Sequence, residues 1–177
     1  GLASAYGIIK NHGGFINVYS RKGHGTTFNI YLQATEKVAT EEKEQGVGIR
    51  KGSEAVLLID DEEMIIDVVK ALLEELGYTV FLAKNGTEAT ETYKKNWEKI
   101  DLVILDMIMP GMSGSETFDR LKEINPDIKV ILSSGYSMDG QADEILNRGC
   151  DGFIQKPIRI ADLSQKLREI LDDRHRE

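Results

Sequence analysis

The sequence predicts a doubly wound α/β domain built on a five-stranded parallel sheet. Two observations carry this. Five short apolar or β-branched runs alternate with five segments of helical periodicity from residue 55 to the end of the chain. The repeat of strand then helix requires crossover connections, and these make a parallel sheet with helices on both faces.

The elements follow in order. AVLLID (55–60) is the first run, and MIIDVVKALLEEL (64–76) follows with Ile65, Val68, Val69, Leu72, Leu73 and Leu76 on one stripe at three- and four-residue steps. Gly77 ends that helix, YTVFLA (78–83) is the second strand, and Gly86 precedes the helical TEATETYKKNW (87–97). LVILD (102–106) is the third strand. Pro110, Gly111 and Gly114 keep the chain in a loop before the helix SETFDRLKEI (115–124). KVILSS (129–134), DEILNRG (143–149), GFIQK (152–156) and ADLSQKLREIL (161–171) complete the pattern.

Upstream lies a piece of different character. Residues 1–35 contain Lys10, Arg21 and Lys22 and no acid, so the rest of the chain holds −11 of the net −8. The stretch 36–54, EKVATEEKEQGVGIRKGSE, has linker composition. The boundaries expected are an N-terminal piece at 1–34, a linker at 35–52 and the α/β domain at 53–177. Gly1 in place of an initiator methionine suggests a fragment of something longer.

Composition narrows the function. A net charge of −8 argues against a nucleic-acid surface. No apolar run reaches the roughly 20 residues that span a bilayer, and no signal peptide is visible. The single cysteine, Cys150, excludes an internal disulfide and suits a reducing compartment. The expected location is cytoplasmic, with a parent protein that a membrane segment elsewhere could anchor.

In a doubly wound sheet, ligands gather at the carboxyl ends of the strands. Those ends read Asp60 and Asp61, then Asp106, then Ser133 and Ser134, then Lys156. Clustered carboxylates repel one another unless a cation neutralises them, and magnesium takes carboxylates together with water and phosphate. One carboxylate can then act as a nucleophile toward a phosphoryl group, with lysine and serine holding its oxygens. Taken singly, Asp61 could cap the following helix, Lys156 could be a solvated strand end and Ser134 could serve a turn. Their coincidence at one edge favours the chemical reading.

With these motifs in view, residues 53–173 resemble the receiver domain of two-component response regulators. LLIDDE matches the acidic pair, VILDMIMPGMSG the acceptor loop, ILSSGYS the hydroxyl strand and GFIQKP the lysine–proline ending. Asp106 precedes Ser134 by 28 residues and Lys156 by 50, the usual spacing of such domains. The resemblance implies a flavodoxin-like fold and phosphorylation of Asp106 from a histidine-containing donor. It implies magnesium bound by Asp61 and Asp106, with Asp60 assisting through water and the Ile108 carbonyl completing the set. Ser134 and Phe153 become the switch pair, with serine standing where threonine is commoner. Ile108 and Tyr136 flank the path of an attacking water, and since neither carries a carboxylate or amide, autodephosphorylation is expected to be slow. The Lys156–Pro157 bond is expected to be cis.

The first 34 residues resemble the carboxyl-terminal end of a histidine-kinase ATP-binding domain: the tail of a glycine-rich box, a helix, the HGG turn and two closing strands. The asparagine and aspartate motifs for magnesium-ATP are absent, as is a phosphorylated histidine, so no kinase activity is expected of the fragment. His12 and His24 are expected in loops or turns. Its apolar residues Ile8, Ile9, Phe15, Ile16, Val18, Phe28 and Ile30 lack most of their sheet. They are expected to find cover by ordered packing on the receiver or by pairing with another chain, which leaves a homodimer open. Together the two pieces suggest a hybrid sensor histidine kinase in a phosphorelay. A free-standing response regulator is the alternative, and the kinase-like piece argues against it. A haloacid-dehalogenase-type phosphatase would need an aspartate where Ile108 stands. A degenerate receiver serving only for docking would lack one of the site residues, and none is missing.

Overall fold

In a computed structural model, residues 2–11, 13–23, 25–32, 48–135 and 140–172 are described, and the chain forms two compact units, Gly1–Gly46 and Val47–Glu177. In the first unit, helix α1 (Leu2–Asn11) precedes an antiparallel hairpin of β1 (Phe15–Arg21) and β2 (Gly25–Tyr31), with Phe15 opposite Tyr31 and Val18 opposite Phe28. Ile9 is buried, whereas Ile8, Phe15, Val18, Phe28 and Ile30 remain exposed. His12 and His24 lie outside the described residues.

The second unit is the predicted α/β domain: β3 (Ala55–Ile59), α2 (Glu63–Glu75), β4 (Thr79–Ala83), α3 (Gly86–Asn96), β5 (Leu102–Asp106), α4 (Gly114–Ile124), β6 (Lys129–Ser134), α5 (Gly140–Asn147), β7 (Gly152–Gln155) and α6 (Ile160–Asp172). Its sheet is parallel throughout, in the order β4-β3-β5-β6-β7. The direction of winding therefore reverses between β3 and β5, where Asp60 and Asp106 emerge. Among the described helices, none is long and apolar enough to cross a membrane.

Strand alternation divides the core in two. Leu57, Ile59, Val103, Leu105, Val130 and Leu132 face Tyr93 of α3, Phe118 and Leu121 of α4, and Ile145 of α5. Val56, Leu58, Leu102, Ile104, Ile131 and Ile154 face Ile66, Val69 and Leu73 of α2 and Leu163, Leu167 and Ile170 of α6. The apolar stripe expected on α2 is thus narrower than its pattern. Val68 is exposed, because a helix covering one sheet buries only the side that meets the strands. Helix α5 begins three residues before the expected Asp143, at Gly140.

A strap of chain holds the amino-terminal edge of this sheet. Ser164 Oγ accepts from the Arg50 amide and donates to its carbonyl, both at 2.8 Å. The Arg50 guanidinium meets Asp172 at 2.7 Å. The Gly52 amide donates to the Leu76 carbonyl at 3.0 Å. The Glu54 carboxylate accepts from Arg168 at 2.6 Å, and the Arg168 guanidinium lies 5.6 Å from the Tyr78 ring centroid. Gly77, at φ 94°, lies so close that a Cβ would sit 2.5 Å from the Gly52 carbonyl oxygen. Linker-like composition therefore conceals ordered structure from residue 50 onward.

Candidate functional site

The site grows from one strand and the turn after it. Strand β5 is fully buried, and its last residue, Asp106, is 5 % exposed. The helix that follows is delayed to Gly114 by the loop containing Pro110 and Gly111, the latter at φ 81°. Ser113 then caps α4, accepting from the Glu116 amide while Glu116 accepts from the Ser113 amide. Gly114 lies so close beneath the acceptor loop that a Cβ would meet the Asp106 carbonyl oxygen at 2.6 Å. Glycine there lets the helix start against the strand tip.

Asp60 follows β3 and is 2 % exposed. One of its carboxylate oxygens accepts from the Glu62 amide at 3.0 Å and the other receives Lys156 Nζ at 2.6 Å. The same ammonium lies 3.2 Å from Asp106. The cap of α2 is Glu62 and makes no side-chain cap bond, so the capping alternative for Asp61 is not realised. Asp61 is exposed and, with Asp60 and Asp106, brings one carboxylate oxygen each to within 4.8 Å of one another.

This arrangement has too much negative charge for its one ammonium. Burial pushes the Asp106 carboxyl above the usual range; Lys156 opposes this and the Asp60 charge adds to it. Burial also works against the Lys156 charge, but its hydrogen bond to Asp60 and the nearby carboxylates outweigh burial and raise it. The Ile108 amide donates to Asp106 as well. A shortage of positive charge, with only oxygen donors around it, suits a hard divalent cation.

The structure brings Asp60, Asp61, Asp106 and Lys156 together. Ser134 ends β6, 7 % exposed, and its carbonyl accepts from the Lys156 amide at 2.8 Å. Phe153 is half-buried, pairs in register with Leu132 and packs against the core on the α3–α5 side. Ile108, two residues after the acceptor, is 60 % exposed. Tyr136 lies outside the described residues. The Lys156–Pro157 bond is cis, as expected.

One further residue belongs to this edge. Ser133 is the register partner of Asp106, and it is 2 % exposed with no hydrogen-bond partner for its hydroxyl among the described residues. Alternation along KVILSS was the available signal, since adjacent serines must face opposite sides of the sheet.

Residues 56–168 match the family model described as the response regulator receiver domain. The chain is 36 % identical over 181 residues to the sensor kinase CckA of Brucella abortus, covering 97 % of this chain and 19 % of that protein. It is 30 % identical to the aerobic respiration control sensor protein ArcB of Escherichia coli K12, covering 97 % of this chain and 22 % of that protein. The chain thus spans about a fifth of the length of these curated relatives. Among solved structures, a response regulator receiver domain protein from Clostridium thermocellum superposes with a TM-score of 0.65 at 33 % identity. That likeness covers 67 % of this chain and 94 % of the other.

Proposed function

The chain belongs to the response regulator receiver family, and from that premise we propose that Asp106 accepts a phosphoryl group from a phosphohistidine within a hybrid sensor histidine kinase. The observation that carries the reading is the buried Asp106 carboxylate at a strand tip, 3.2 Å from Lys156 and grouped with two further carboxylates. Such a group is costly to keep there unless the site uses it.

In the transfer, an Asp106 oxygen attacks phosphorus in line with the donor nitrogen. The P–N bond breaks, its electron pair returns to the imidazole, and an acyl phosphate remains on Asp106. Lys156, already beside that carboxylate, takes one phosphoryl oxygen, and Ser134 at the same edge takes another. Asp60, Asp61, Asp106 and the Ile108 carbonyl would hold magnesium, which would supply positive charge to the transferring phosphoryl group. Asp60 keeps Lys156 in place throughout.

Residues 1–34 are proposed as the closing part of a kinase ATP-binding domain. This is supported by the two sensor proteins, which align over 97 % of the chain. With Ser134 and Phe153 as the switch, transfer alters the face built by β6, α5, β7 and α6. The test is intact-mass measurement after treatment with acetyl phosphate and magnesium. One added phosphate on the native chain and none on Asp106→Asn supports the assignment; equal labelling of both refutes it.

A further inference from the structure

Ser133 stands out among the buried polar groups. Its hydroxyl is enclosed, 2 % of the residue being exposed, and has no hydrogen-bond partner among the described residues. A buried hydroxyl left unpaired is destabilising, and an apolar residue of similar size would avoid that cost. Its location is specific. Ser133 pairs in register with Asp106 on one side and with Ile154 on the other. Paired residues of a parallel sheet share a face, and Ile131, two residues before Ser133, belongs with Ile104 and Ile154 to the α2–α6 side. Asp106 follows Ile104 by two residues and so shares that side. Lys156 starts from the end of β7 and reaches Asp106 on β5 and Asp60 beyond β3. Its side chain must cross β6, where Ser133 lies.

Resting on the proposed function, we infer that Ser133 is a hydrogen-bond donor reserved for the phosphorylated state of Asp106. Before transfer, Lys156 Nζ lies 3.2 Å from one Asp106 oxygen. Once Asp106 is esterified, its charge passes to the phosphoryl group and the ammonium follows that charge. The Asp106 carboxyl keeps the Ile108 amide of its own loop as a donor, and the hydroxyl of Ser133, its register partner, adds a donor from the β6 side. When water or an acceptor imidazole attacks phosphorus, the P–O bond to Asp106 breaks. Its electron pair becomes carboxylate charge, and the attacking water gives up its proton to solvent. A hydroxyl donating to that carboxylate stabilises the charge as it forms, so Ser133 speeds departure of the phosphoryl group.

The experiment uses the full chain, loaded with acetyl phosphate in magnesium buffer and then freed of donor. Loss of phosphate is followed for the native protein, Ser133→Ala and Ser133→Val, which remove the hydroxyl while changing volume in opposite directions. All three should carry one phosphate on Asp106. Both variants should decay about tenfold more slowly or less readily still, and their acyl carbonyl infrared band should lie at higher wavenumber than the native band. Metal-free Ser133→Ala should melt no lower than the native protein, because a buried unpaired hydroxyl has been removed. Decay of both variants at the native rate with an unshifted carbonyl would overturn the inference, as would slowing in one and acceleration in the other, which marks packing. Absence of label on the native chain would overturn the function on which it rests, and this inference with it.

Discussion

Replacing Asp106 by asparagine should stabilise the metal-free protein. The Asp60 and Asp106 carboxylate oxygens lie within 4.8 Å of each other. At an effective dielectric of about 20, two charges that close repel by about 3.5 kcal/mol or more. Lys156, 3.2 Å from Asp106, attracts it by about 5 kcal/mol on the same basis. Removing a carboxylate from water costs several kcal/mol more. Burial and repulsion together exceed the attraction, in agreement with the raised Asp106 carboxyl. The amide loses the contact with Lys156 but leaves its 2.6 Å bond to Asp60 intact. We expect a net gain of about 1 kcal/mol, or about 4 °C in melting temperature for a domain of this size. The sign of the pH dependence follows from the raised pKa. Protonation of folded Asp106 contributes stability that is fully present below the ordinary carboxylate pKa and lost as pH rises through the folded value. The advantage of asparagine should therefore grow over that window. Urea unfolding followed by circular dichroism, with a chelator present, measures it. An asparagine variant no more stable than the native protein at neutral pH would refute the reasoning. Added magnesium should then narrow or reverse the gap, since it binds the native carboxylate set more tightly and stabilises by mass action.

Other expectations follow from the same geometry. Ile108→Asn places an amide at the exposed rim of the acceptor, where it can orient water, and should shorten the lifetime of the phosphorylated form several-fold; an unchanged decay rate would exclude that path. Arg168→Met should cost about 1–3 kcal/mol, because it leaves Glu54 and the buried edge of α6 without their partner, measured by the urea midpoint. Burial opposes the Glu54 charge, but Arg168 and nearby amides outweigh it and hold its carboxyl below the usual range. The stability that this pair contributes should persist above the ordinary carboxylate pKa and fade as acid passes through the lowered one. Calorimetry on the full chain should detect no ATP binding; a measurable heat would overturn the view that residues 1–34 lack the nucleotide site.

The fold was legible because the three central strands, β3, β5 and β6, are nearly continuous apolar sequence, and only a sheet covered on both faces calls for that. The site was legible in part, because its residues end strands and strand ends in this topology share an edge. Two things were hidden. Lys156 pairs most closely with Asp60, at 2.6 Å, and this depends on three-dimensional reach across β6 that no spacing encodes. Residues 50–54 look like linker because they contribute backbone bonds and two charged ends, neither of which produces periodicity. The exposure of Ile108 was likewise beyond a reading of residue type, since the direction of a loop side chain is set by the turn that carries it.

That strap also determines how the chain divides. The family match starts at residue 56, downstream of the Arg50, Gly52 and Glu54 bonds that secure the last helix. A receiver excised at the match would leave the Arg168 guanidinium, only 10 % exposed, with one acidic neighbour among the described residues, Asp172 at 3.4 Å. Ser164 would lose the backbone on which both of its bonds depend. A piece cut at Val56 would keep all the acceptor chemistry on a scaffold whose final helix is loosened. One cut before Arg50 would carry its own clasp, and two laboratories choosing differently would be measuring different molecules.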